Sequence, residues 1–129
     1  QICGLPEKPL ENIRLSNIQI NYRGGGTEAE GAKPYKELGT GYPEPMLLGR
    51  CPAYGLYVNH VNGLDLNQVT FKTDIPDYRP AVIMNDAQNV YIDHLIAPKL
   101  KGIALARFDN TKYITIINSP VFGNLNKQD

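Results

Sequence analysis

Tryptophan is absent from these 129 residues, and cysteine occurs only twice. Cys3 and Cys51 are too few for a disulfide framework, and their separation matches no metal-ligand spacing. They are expected as two free, partly buried thiols. Neither charge is in excess: thirteen Lys and Arg balance thirteen Asp and Glu, for a formal net charge of zero. That excludes nucleic acid or an anionic membrane as the main partner. No apolar run approaches the ~18 residues that span a bilayer, and no basic-then-apolar leader opens the chain. No window carries a 3.6-residue apolar period, so no helix is expected. The triple glycine Gly24-Gly25-Gly26 is followed by no Gly-Lys-Ser or Gly-Lys-Thr, which excludes a phosphate loop.

What is present is a repeat. Asn12-Ile13-Arg14-Leu15, Gly63-Leu64-Asp65-Leu66, Asn89-Val90-Tyr91-Ile92 and Tyr113-Ile114-Thr115-Ile116 share an apolar, polar, apolar order beside Asn, Gly or Asp. Leu64 to Val90 is 26 residues and Val90 to Ile114 is 24; Ile13 to Leu64 is 51, about two steps. A second ladder aligns Leu56 and Val58 with Val82 and Met84, then with Ile103 and Leu105. A third aligns Ile18 and Ile20, Val69 and Phe71, Leu95 and Ala97, with Val121 last. Each unit thus holds three short strands of alternating pattern between Asn, Asp and Gly turns.

Such spacing predicts an all-β chain, a parallel β-helix of about four rungs, with residues 1–129 forming a single segment. Arg14, Asp65, Tyr91 and Thr115 would point outward. Asn and Gly would take the left-handed corners. A sandwich or barrel of hairpins also uses many short strands, but the in-register ladders favour the helix. Residues 23–51 break the pattern as an inserted Gly/Pro-rich loop, longer than the ~12–15 residues usual for structureless connections. It is either one wall of a substrate cleft or a surface cover over the stack.

Several segments resemble the late rungs of glycoside hydrolase family 28, the bacterial polygalacturonase-like proteins. They are the run from Gly4-Leu5-Pro6 to Arg14-Leu15, then Tyr22-Arg23-Gly24-Gly25-Gly26-Thr27 and Tyr42-Pro43-Glu44-Pro45. Pro52-Ala53-Tyr54-Gly55-Leu56-Tyr57-Val58 and Asp77-Tyr78-Arg79-Pro80-Ala81-Val82 complete the set, in matching order across residues 4–95. The resemblance implies a right-handed parallel β-helix that hydrolyses galacturonic-acid linkages in pectin by inversion, in an extracellular or periplasmic setting. Inversion needs two carboxyls ~6.5–9.5 Å apart. The family's clusters, Asn-Thr-Asp, Asp-Asp, Gly-His-Gly and Arg-Ile-Lys, are not found here; Asp109-Asn110-Thr111 has the residue types in the wrong order. No catalytic residue is therefore assigned. The chain reads as the C-terminal part of a longer enzyme, inactive alone, with a non-catalytic β-helix that binds polysaccharide or assembles as the alternative. The start at Gln1, inside a strand-like Gln1-Ile2-Cys3, fits a piece of a longer protein.

A pectic polysaccharide or oligosaccharide as partner calls for cations, and Arg forks suit carboxylates. Arg23, Arg50 and Arg79 are the candidate contacts, with Arg107 ranked below them; each is also readable as an exposed or backbone-bonded arginine. Tyr54, Tyr42 and Tyr57 are candidates for sugar stacking, or for covering neighbouring rungs. Tyr57 alternates with Leu56 and Val58, so it is expected to face outward beneath a loop. No cofactor and no metal is expected, since no carboxylate pattern accompanies His60 or His94. A bare first rung would be capped or would self-associate at its N-terminal end.

Overall fold

A computed structural model describes residues 1–34, 36–37, 39, 41, 48–120 and 122–128. The chain is all-β in class: β1 (Ile2–Cys3), β2 (Leu10–Tyr22), β3 (Leu56–Thr73), β4 (Val82–Ile96), β5 (Ala106–Asp109), β6 (Lys112–Ile117) and β7 (Leu125–Lys127). Together they form one mixed seven-stranded sheet. Every pairing is parallel except that of β6 with β7, which is antiparallel.

The register follows the sequence repeat. Ile13, Leu64, Val90 and Ile114 pair in one column, and Leu15, Leu66, Ile92 and Ile116 in the next. Arg14, Asp65, Tyr91 and Thr115 form the column between them, with an Arg14 Nε to Asp65 Oδ2 hydrogen bond of 2.9 Å. One alignment is corrected. Val82 pairs with Ala106 and Met84 with Phe108, not with Ile103 and Leu105. The step there is 24 residues, as at Val90 and Ile114. Leu105 ends the preceding turn instead, its carbonyl accepting from the Ala81 and Val82 amides. Val121 lies outside the described residues.

Length alone requires these strands to curl. At ~3.3 Å per residue an 18-residue strand would be about 60 Å long if straight. Residues 74–81, which join β3 to β4, reach at most about 29 Å. Val82 nevertheless lies beside Leu56. The bends occur at single residues of left-handed backbone, which interrupt the pairing in three columns. Asn12, Gly63, Asn89 and Tyr113 make one, with φ of 53°, 89°, 54° and 54°. Asn17, Gln68, His94 and Asn118 make the second, and His60, Asp86 and Asn110 the third. All ten non-glycine residues with positive φ among the described residues fall in these columns. None is β-branched, and half are asparagine, which tolerates this conformation best after glycine. Amide ladders reinforce the step: Asn85 Nδ2 donates to Asn59 Oδ1 at 2.8 Å, and Asn89 Nδ2 to Asn62 Oδ1 at 2.7 Å.

Side chains on the inner face stack into the core. Val58, Leu66, Val82, Met84, Ile92 and Leu95 are fully buried. Burial fades at β2, which pairs only with β3 and leaves Leu10 41% exposed and Ile20 39% exposed. Within residues 23–51 the expectation of no helix is corrected by α1 (Glu28–Ala32). Periodicity cannot reveal a five-residue helix, but its capping box is visible in the sequence. Thr27 Oγ1 accepts from the Glu30 amide, while Glu30 Oε2 accepts from the Thr27 amide at 2.8 Å.

Truncation should separate the core from the edge. Leu66→Ala at the centre is expected to cost about 2–5 kcal/mol, and Leu10→Ala at the edge under about 1 kcal/mol. Urea unfolding measures both. A larger loss at Leu10 than at Leu66 would contradict the stacked core.

Candidate functional site

The outward face of β3, β4 and β5 carries two adjacent columns: Tyr57, Ile83 and Arg107, then Asn59, Asn85 and Asp109. Residues at the end of the inserted loop and just after it fold over part of this face, where Cys51 and Ala53 pack on Tyr57 and Ile83. Tyr57 is buried at 5% exposure, an outward residue beneath a loop, as its alternation predicts. Farther along, the loop and the sheet enclose two cavities that share Glu37 as a wall. The first, of about 330 Å³, has Gln1, Lys36, Glu37, Asn59 and His60 as its polar side and Leu5, Pro6 and Leu48 as its apolar side. The second, of about 350 Å³, has Tyr57 and Ile83 in its floor and Glu37, Asn85, Arg107 and Asp109 around them.

His60 organises the wall between them. It sits in a left-handed corner, buried at 8% exposure. Its Nδ1 lies 2.6 Å from Asp86 Oδ2, the next residue of the corner column, and its Nε2 lies 3.2 Å from Glu37 Oε1. Asn59 Nδ2 donates to the same Glu37 oxygen at 2.8 Å. Glu37 is thereby drawn from the loop onto the sheet with its side chain still half exposed. The sequence shows no carboxylate beside His60; the fold supplies two, one by the 26-residue step and one from the loop. His94 bonds its neighbour Asp93 at 2.5 Å on the surface and belongs to a corner column. Among the described residues no group of three or more His, Cys, Asp or Glu is arranged to hold a metal.

The sequence candidates scatter. Arg79, a candidate sugar contact also readable as backbone-bonded, sits in a structural clasp. Its side chain is 10% exposed and forks onto Asp77, Nε to Oδ1 at 2.9 Å and Nη2 to Oδ2 at 2.7 Å. Its Nη1 donates to the Cys51 carbonyl at 2.8 Å, and Asp77 Oδ2 also accepts from the Gly26 amide at 3.0 Å. One ion pair therefore ties both ends of the inserted loop to the turn before β4. A Cβ at Gly26 would run into Arg79 Nε and Asp77 Oδ1, so only glycine fits. Burial opposes ionisation of Asp77, but the hydrogen bonds from Arg79 and from the Gly26 amide outweigh it and hold the carboxyl below its ordinary value.

Tyr54, a candidate for sugar stacking or for covering rungs, is also packed within the structure. It is 6% exposed, lies edge-on to Tyr22 at 6.1 Å and donates its hydroxyl to the Pro98 carbonyl, so it offers no face to a sugar. Burial pushes its phenol pKa upward. Arg50 is half exposed and pairs with Glu30 at 3.1 Å, bracing α1. Arg23 is exposed and lines neither cavity, and Tyr42 lies outside the described residues. Arg107, ranked lowest in sequence, is the arginine that reaches the groove. Its Nε donates to Asp109 Oδ2 at 2.9 Å and its Nη1 to the Gly31 carbonyl of α1 at 3.1 Å. The available signal was its place 24 residues after Ile83 on an outward column. Both thiols are free as expected, but Cys3 is exposed rather than partly buried; only Cys51 is half-buried.

The clasp makes a prediction about stability. Asp77→Asn leaves Arg79 buried without its counter-charge and is expected to cost about 3–5 kcal/mol. Because the folded pKa is depressed, the wild-type advantage is complete above about pH 3.9, the carboxyl's unfolded value. It is lost only as the pH falls through the lower folded value. Urea midpoints of both proteins from pH 7 to 2 should keep a constant gap down to about pH 4 and converge in acid. A gap that closes near pH 6 would count against the clasp.

In comparison with known proteins, the chain matches no family model, no curated protein and no solved structure.

Proposed function

We propose that the chain is a right-handed parallel β-helix forming the C-terminal portion of a pectin-degrading, polygalacturonase-like glycoside hydrolase. In this reading it supplies scaffold and one wall of the substrate cleft. The bond is cut by carboxylate clusters that this chain does not contain, outside the cell or in the periplasm. The observation that carries the fold reading is the triple column of left-handed corners, repeated at 24- and 26-residue steps. Curling strands that return beside themselves after short connections are what a solenoid requires. The groove under the inserted loop supports the cleft-wall role, since insertions in solenoids gather on the binding face. The resemblance in residues 4–95 supplies the substrate class.

A second reading, a non-catalytic polysaccharide-binding or assembly module, is favoured by one observation. The groove carboxylates are engaged by neighbours, Glu37 and Asp86 by His60 and Asp109 by Arg107. In either reading the free edge of β2 is a place for capping or self-association.

Two measurements test the proposal. Native gels cast with pectic polysaccharide should retard the chain, and a reducing-sugar assay on polygalacturonate should detect no release. Unretarded migration on every pectic polysaccharide would overturn the substrate class. Robust turnover by the chain alone would overturn the cleft-wall role.

A further inference from the structure

The second cavity has a chemistry that the substrate class alone does not specify. Its ionisable walls are Glu37 and Asp109 against Arg107, two carboxylates to one guanidinium. Arg107 is already committed, to Asp109 and to the carbonyl of Gly31. The same economy holds across the molecule: of five arginines, Arg14, Arg50, Arg79 and Arg107 each pair with a carboxylate, and Arg23 lies outside both cavities. A uronate carboxylate entering this cavity would face one net negative charge, with Arg107 already paired to Asp109, and no uncommitted guanidinium.

We propose that the second cavity binds a sugar unit that carries no charge, recognised through its hydroxyls. This rests on the pectic-polysaccharide reading and narrows it to the methyl-esterified or neutral units of such a polymer. Hydroxyls both donate and accept, so Glu37 and Asp109 accept from them while Asn85 does either. Both carboxylates are within reach of a ligand, their side chains 49% and 48% exposed. Tyr57 and Ile83 line the bottom of the cavity but are 5% and 0% exposed, so recognition rests on the polar walls rather than on ring stacking. Glu37 is held in place beforehand by His60 and Asn59, which lowers the cost of ordering it on binding. At about 350 Å³ the cavity stands at the small end of ligand sites, ~300–1,000 Å³, a size for one unit of a chain rather than a long segment.

The test uses the whole chain in native affinity gels containing highly methyl-esterified pectin, the same pectin after de-esterification, or neutral galactan. The expected result is retardation by esterified pectin that survives 0.5 M salt, and little retardation by the de-esterified polymer. Galactan tells whether a neutral sugar serves as well as an esterified uronate; retardation by either uncharged polymer supports the proposal. Asp109→Asn removes one wall charge and releases Arg107, so it should raise retention on de-esterified pectin roughly two- to fivefold, the scale of an exposed ion pair. Stronger, salt-sensitive retention of the wild-type chain by de-esterified pectin would overturn the inference and leave the pectic reading standing. Retention by none of the three would overturn both.

Discussion

The whole architecture depends on one backbone constraint: a single left-handed residue, placed at the same point of each repeat, that turns an extended strand and interrupts its pairing only locally. For most residues the left-handed conformation costs roughly 1–2 kcal/mol. Three stacked columns concentrate that cost at eleven positions and fill them with Asn, Gly, Asp, His, Gln and Tyr. The return is register. A slip of one residue would carry Leu64, Leu66, Val90 and Ile92 from the core to the surface. It would also place β-branched residues such as Val69 or Val90 in the left-handed corners.

Upon this frame the inserted loop is fastened at chosen points. The Asp77–Arg79 pair draws Gly26 and Cys51 to the same turn, so the two ends of residues 23–51 are brought together whatever lies between. Arg50 pairs with Glu30, and Arg107 reaches the carbonyl of Gly31, holding α1 above the sheet. Buried ion pairs are poor sources of net stability compared with apolar packing. Their value here is directional, because a forked guanidinium accepts only one orientation of its partners. The groove is a consequence, the space left between a sheet face and a loop pinned at its ends.

Much of the fold was legible in the sequence. Its all-β class, the column of Ile13, Leu64, Val90 and Ile114, the outward Arg14 and Asp65 and the asparagine corners follow from alternation and spacing alone. The misplaced Ile103 and Leu105 show the limit. They are apolar and lie near the right distance, but Ala106 and Phe108 satisfy the 24-residue step shared with Val90 and Ile114. The site was far less legible. Arg79 and Arg107 are both arginines near strand entrances, and only three-dimensional placement shows one buried against Asp77 and the other at a groove. The Asp86–His60–Glu37 chain joins residues 26 and 23 positions apart, which no local motif encodes.

Charge is the last element that the fold arranges. Equal numbers of acidic and basic residues say nothing about where an anion could land. The pairings do, because a guanidinium already sharing its protons with a carboxylate attracts a second one weakly, and a carboxylate left beside a cavity repels it. Arg14, Arg50, Arg79 and Arg107 are spent on carboxylates in this way, while Glu37 and Asp109 keep half their surface open. In the proposed reading, recognition at this face therefore falls to hydrogen-bonding groups rather than to a guanidinium. The paired arginines hold the loop and the edge strands in place, and it is that fixed geometry which gives the acceptors their positions.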